Sequence, residues 1–141
     1  MTEYVLDVSA ALTWCFDDEP EIVGLPDPSR AAETRMYVPA LWPLELLNAL
    51  LVADRRGRLP LESALEFLEL VFTLPLAVEE PPKSGEYVGL LALAREQNLT
   101  VYDAAYLDLA LRLGVPLATC DKALADAARR RNVALLAETS E

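Results

Sequence analysis

Two short apolar runs, one near each end of the chain, stop on an aspartate and pass straight into residues that begin a helix. The first is Tyr4-Val5-Leu6 before Asp7, followed by the small residues Val8, Ser9, Ala10 and Ala11. The second is VPLATC, residues 115–120, before Asp121. A nearly all-apolar run of this kind suits a strand buried on both faces of a parallel sheet. In open α/β sheets, ligands bind outside the carboxyl ends of the strands. Each aspartate is therefore expected at the rim where a ligand would sit.

Between these ends, short strands alternate with helices, which indicates an α/β fold with a parallel sheet. Strands are expected over residues 4–6, 37–38, 76–78, 115–120 and 133–136. Helices are expected over 9–16, 28–35, 40–56, 61–72, 84–97, 101–113 and 122–132. Pro43 fits only the first turn of its helix, and Gly57 marks that helix's end. Ser84 and Thr100 read as N-caps, and Gly24, Pro26 and Pro28 as a turn. Glu62, Glu66 and Glu69 fall on one face of their helix, with Leu61, Ala64, Leu65 and Leu68 on the other. The residues at 138–141 read as a frayed tail, and no linker is long enough to divide the chain. We expect one domain over residues 1–141.

The 141 residues fall inside the usual size of one domain, which buries roughly 68% of its unfolded surface. No apolar run approaches the ~18 residues of a membrane span, and the opening MTEYVLD has no basic region of a secretory signal. The cytosol is the expected compartment. Cys15 and Cys120 are too far apart for a zinc cluster and read as small buried hydrophobes without a disulfide. The chain has no histidine. That removes Ser-His-Asp and Cys-His catalysis, leaving carboxylates, Lys, Tyr, Cys or metal-activated water. The formal net charge of −11 opposes a whole-surface grip on nucleic acid. Binding of such a substrate would have to be local or be aided by cations. Arg55-Arg56-Arg58 and Arg129-Arg130-Arg131 both lie at helix C-termini, where cations complement the helix dipole. The acidic run Asp17-Asp18-Glu19-Pro20 reads as a solvated loop.

Four acids stand out as candidate ligands: Asp7, Glu45, Asp103 and Asp121. Asp7 and Asp121 also fit as helix N-caps, although Ser9 could serve in place of Asp7. Glu45 sits in LWPLELLNALL, whose leucines imply a helix buried on most sides, with no Lys or Arg within four positions. An ionised carboxylate in such a place costs several kcal/mol unless it is paired or bound to a metal. Asp103 follows Thr100 by three residues, a loose capping box, yet it shares a face with Leu107 and Ala110. Asp108 pairs with Arg112 at i,i+4 as a surface ion pair. Ser9 and Thr119 are nearby hydroxyls able to support the acids. Carboxylates converging on one point repel unless cations sit among them. All-oxygen ligation then suits Mg²⁺ or Mn²⁺, ions that activate water and neutralise phosphate during hydrolysis of phosphodiesters.

With these residues in place, the sequence resembles the PIN-domain ribonucleases, and among them the VapC-type toxins of toxin–antitoxin pairs. The resemblance rests on YVLDVSAALTWCFDDE, VPALWPLELLNALL and LTVYDAAYLDLALRLGVPLATCDKAL, in that order, and covers nearly the whole chain. It implies a Rossmann-like, three-layer fold and Mg²⁺- or Mn²⁺-dependent endoribonuclease activity. It also implies an RNA substrate and a homodimer inhibited by a cognate antitoxin. The family's acids fall on Asp7, Glu45, Asp103 and Asp121. Asp7 and Asp103 would be the main metal ligands, Glu45 would orient or deprotonate water, and Asp121 would complete the set, with Ser9 and Thr119 at the hydroxyl positions. The leucine-rich helices between residues 40 and 72 are the expected dimer or antitoxin surface.

Two alternatives carry different expectations. A receiver-like phospho-signalling domain would share the size, the acidity and a late Thr119–Lys122 pair. It needs paired acids after the first strand, where this chain has Asp7-Val8-Ser9, and a phospho-acceptor Asp after a central strand, where Leu76-Ala77-Val78 leads to Glu79. A PIN-like module used only for partner binding would not need the full acidic set.

Overall fold

The apolar run ahead of Asp7 becomes a central strand. In the computed structural model, which describes residues 2–16, 18–19 and 21–136, β1 (Glu3–Leu6) has its last three residues buried. It pairs in parallel with β2 (Arg35–Val38) on one side and with β4 (Leu117–Ala118) on the other. Strand β3 (Leu76–Val78) lies outside β2, so the order is β3-β2-β1-β4. Register sets Tyr4 beside Met36 and Leu6 beside Ala118. The expected fifth strand over 133–136 is reduced to one bridge, Leu117 to Leu135, and β4 is shorter than the apolar run around it. Past Ala118 the chain turns aside, because Thr119 and Cys120 bond to the segment after β1 rather than extending the ladder.

The helices follow from the crossovers. After β1 come α1 (Val8–Ala11), tightening into a 3₁₀ turn at Leu12–Trp14, and α2 (Pro28–Ala31). After β2 come α3 (Trp42–Arg55) and α4 (Leu61–Val71). After β3, a 3₁₀ turn at Ser84–Glu86 leads into α5 (Tyr87–Gln97) and α6 (Val101–Leu113); α7 (Lys122–Arg130) follows β4. The chain steps outward from β1 to β2 to β3, then returns across the sheet to β4. Right-handed connections therefore place α1–α4 on one face and α5–α7 on the other. The result is the expected α/β architecture of three layers, a parallel sheet flanked by helices.

Local chemistry accounts for the departures. The first helix is cut short where the Thr13 hydroxyl bonds back to the Ala10 carbonyl (2.7 Å) and the Trp14 indole N–H donates to Pro26 O (3.0 Å). Ser84 is not a cap: the Lys83 N–H is taken by Glu86 Oε1 at 2.7 Å, and the α-helix begins later. Asn98 (φ 55°) and Gly114 (φ 67°) take left-handed backbone to stop α5 and α6, the latter as glycine's freedom permits. Helix α3 is not buried on most sides, since Leu44 (71% exposed), Leu47 and Leu51 face outward. On α4 the buried stripe is Ala64, Phe67 and Val71, while Leu61 and Leu65 are exposed. The core between the layers is built on Tyr4, Val5, Leu6, Met36, Val38, Trp42, Leu46, Leu107 and Leu124, all fully buried.

Candidate active site

Connections leave β1 and enter β4 on opposite faces of the sheet, so the crevice at their carboxyl ends is the switch point where open α/β sheets bind ligands. Asp7 and Asp121 follow those two strands directly. The Asp7 N–H donates to Ala118 O at 3.0 Å, which fixes the two strand ends side by side.

Asp7 occupies the cap position of α1 but makes no side-chain cap bond. Its Oδ2 instead accepts the hydroxyls of Ser9 (2.7 Å) and Thr119 (2.6 Å), which lie 3.3 Å apart. Ser9 Oγ in turn accepts the Cys120 N–H at 2.9 Å, and Thr119 Oγ1 the Asp121 N–H at 3.0 Å. The hydroxyls expected to support the acids thus tie both strand ends into one network. Asp7 is only 8% exposed. Burial raises its pKa, and the charge of Asp121 adds to the rise, against the lowering effect of the two hydroxyls.

Asp121 does serve as the N-cap of α7, accepting the Leu124 N–H on Oδ1 at 3.2 Å. For Asp103, the capping box is half formed: Thr100 Oγ1 accepts the Asp103 N–H (3.1 Å). The Asp103 pKa is raised, first by burial, then by Asp121 and Asp7. Helix α6 runs back toward the start of β4, which brings its first turn to the same rim as the carboxyl ends of the strands.

Glu45 lies in the first turn of α3, just after β2, and is half-buried. Burial raises its pKa, and so do Asp7 and Asp103. Its Oε1 accepts a short hydrogen bond, 2.5 Å, from the phenol of Tyr106. Sequence reasoning missed Tyr106, which is fully buried one turn after Asp103. In YDAAYL it looks like one more apolar core residue, and only the approach of the first turn of α3 to α6 at the sheet rim reveals its partner.

The four acids therefore influence one another: Asp7 with Asp121, Glu45 and Asp103, and Asp103 with Glu45 and Asp121. No ion pair among the described residues involves any of them. Their described side-chain partners are neutral hydroxyls and backbone N–H groups. Among the described residues, no three His, Cys, Asp or Glu side chains are arranged to hold a metal ion as they stand. The hydrogen bonds described fall on a single oxygen of each of Asp7, Glu45 and Asp121.

Several of the other charged residues are engaged elsewhere. Arg112 pairs with Asp108 (2.8 Å), as expected, and with Glu79 (3.2 Å). Arg58 pairs with Asp18 and Glu19 at 2.7 Å each and lies over the Phe16 ring, so the acidic loop is tied down where it is described; Asp17 and Pro20 lie outside the described residues. Arg129 and Lys122 pair with Asp126, and Arg131 with Glu96. Lys122 therefore does not face the acids as a receiver's lysine would. Cys15 and Cys120 are free thiols, and Cys120 is exposed rather than buried. No helix among the described residues is long and apolar enough to cross a membrane.

A family profile described as "PIN domain" matches residues 4–130. Ribonuclease VapC3 of Pyrobaculum aerophilum is 35% identical over 82 residues, a match covering 58% of this chain and 63% of the relative. Among solved structures, the crystal structure of PAE2754 from Pyrobaculum aerophilum superimposes with a TM-score of 0.70 and 26% identity. That alignment covers 89% of this chain and 84% of the other.

Proposed function

The chain belongs to the PIN domain family, and we propose that it is a VapC-type, divalent-metal-dependent endoribonuclease. The reading is supported by a relative that carries the name ribonuclease. It is carried by one observation: Asp7, Glu45, Asp103 and Asp121, from distant parts of the chain, share one rim with no cation paired to any of them among the described residues. Family membership sets aside the receiver-like alternative.

The chemistry of the donors suits a hard cation, although the side chains would have to turn toward it from where they stand. Four carboxylates offer only oxygen, their mutual repulsion asks for positive charge, and hard oxygen donors favour Mg²⁺ or Mn²⁺ over zinc. Asp7 and Asp103 would be the main holders of the ion, with Glu45 reaching it by the oxygen Tyr106 does not use and Asp121 completing the set by the oxygen its cap bond does not use. When bound, such an ion neutralises the scissile phosphate and lowers the pKa of water. The protein's own groups do the rest. Ser9 and Thr119 fix Asp7, and Glu45 would orient a water and accept its proton as the phosphodiester bond breaks.

We further propose that the protein acts in the cytoplasm as a toxin held inactive by a cognate antitoxin, and that it forms a homodimer. Exposed apolar residues on α3 and α4, among them Leu44, Leu47, Leu61 and Leu65, with Phe72 just past the end of α4, support a surface that protein partners cover. The decisive test is activity of folded variants. Asp7→Asn and Asp103→Asn should each abolish RNA cleavage and growth inhibition, and chelation should abolish cleavage by the parental chain. Parental-rate cleavage by either folded variant ends the assignment.

A further inference from the structure

We infer that Tyr106 is a positioning residue that holds Glu45 in its working orientation. The inference rests on the nuclease reading above and adds a member to its site from α6.

Three features separate this phenol from an ordinary core tyrosine. Its side chain is completely buried, yet its O–H does not go to a nearby backbone carbonyl; it crosses 61 positions of sequence to Glu45 Oε1. It bridges α3 and α6, the two helices that carry Glu45 and Asp103 to the rim. And it is the only donor to the Glu45 side chain among the described hydrogen bonds. Without it, a glutamate side chain with three rotatable bonds in the first turn of α3 has no described hydrogen bond to select one rotamer.

The choice of a phenol is chemically specific. A lysine or arginine in this place would neutralise Glu45 and lower its usefulness to a cation and as a proton acceptor. A neutral O–H orients the carboxylate while leaving its charge in place, as Ser9 and Thr119 do for Asp7. Partners that orient metal-binding carboxylates in this way typically matter 10–100-fold for metal affinity or activity.

The test is Tyr106→Phe, which removes one oxygen and keeps the ring, alone and in combination with Glu45→Ala. Mn²⁺ affinity, measured by calorimetry without RNA, should fall about tenfold in Tyr106→Phe. The double variant should bind Mn²⁺ no more weakly than Glu45→Ala alone. With saturating metal, kcat for RNA cleavage should fall while KM for RNA stays put. Unchanged Mn²⁺ affinity in Tyr106→Phe overturns the proposal, as does an equal further loss in the Glu45→Ala background, which would mark a general structural role. On the parental chain, Mg²⁺ should shift the ¹³Cζ resonance of Tyr106 with the same midpoint as binding at the site. A resonance that does not move overturns the proposal even where Tyr106→Phe fails to fold. A parental chain that binds no Mn²⁺ refutes the nuclease reading itself and takes this inference with it; a parental chain that binds Mn²⁺ and a Tyr106→Phe variant that binds it equally tightly refute the inference alone.

Discussion

Replacing Asp7 by Asn should stabilise the metal-free protein while destroying its response to metal. The carboxylate is 8% exposed and its pKa is raised, chiefly by burial. The two hydroxyls on Oδ2 offset part of that burial cost but not all of it, because the net shift is upward. An acid with a raised folded-state pKa ionises more easily in the unfolded chain. Its contribution to folding is therefore lost as pH rises, starting near the unfolded value of 3.8 and finishing above the folded-state pKa. At pH 7 the folded protein carries the whole cost. An asparagine can still accept both hydroxyls on its amide oxygen without the charge. Relieving an unpaired buried charge in this way is worth about 1–2 kcal/mol, after allowing for weaker bonds to a neutral acceptor. For a domain of this size that corresponds to a rise in Tm of roughly 3–10 °C. The assay is thermal unfolding in chelator at pH 7 and again near pH 4, then at pH 7 with excess Mn²⁺. The parental chain should gain about 2.7 kcal/mol at a hundredfold excess of metal over Kd, and the variant far less. A lower Tm for Asp7→Asn in chelator at pH 7, or a gap that does not shrink toward pH 4, would refute the electrostatic reasoning.

The other expectations separate structural from chemical roles. Asp121→Asn should keep the α7 cap and near-parental stability, whereas Asp121→Ala should lose about 1 kcal/mol in denaturant titration; both should lose cleavage. Thr119→Val removes a donor from Asp7 and an acceptor from the Asp121 N–H, and should cost about 1.5–3 kcal/mol at pH 7. Because protonated Asp7 depends less on that donor, the cost should shrink at low pH. Trp42 is fully buried, and its indole N–H has no hydrogen-bond partner among the described residues. Trp42→Phe should therefore cost less than about 1.5 kcal/mol in urea unfolding, against about 3–5 for Trp42→Ala.

What the sequence makes readable here follows from local rules. Asp7 and Asp121 are legible because an apolar strand ending in a carboxylate places the acid at the sheet rim whatever the rest of the chain does. The helix Val101–Leu113 is legible to the residue, because Thr100 and Gly114 mark both ends. The segment 133–136 is not: its apolar pattern suits a strand, but only a single bridge to Leu117 forms. The outward leucines of α3 and α4 are not either, since periodicity gives an apolar face without saying whether the chain itself covers it. Tyr106 is the largest omission. Its partner lies 61 residues away, and nothing in YDAAYL distinguishes a phenol that packs from one that donates.

Four acids from remote segments must form one cation site if this protein cleaves RNA as proposed. Crystals soaked in Mn²⁺ and measured for anomalous scattering give the most direct answer. A peak within bonding distance of Asp7 and Asp103, lost when Asp103 is replaced by Asn, is the predicted result. Manganese found only elsewhere on this acidic surface, with the rim beside Asp7 empty at saturating metal, would contradict it.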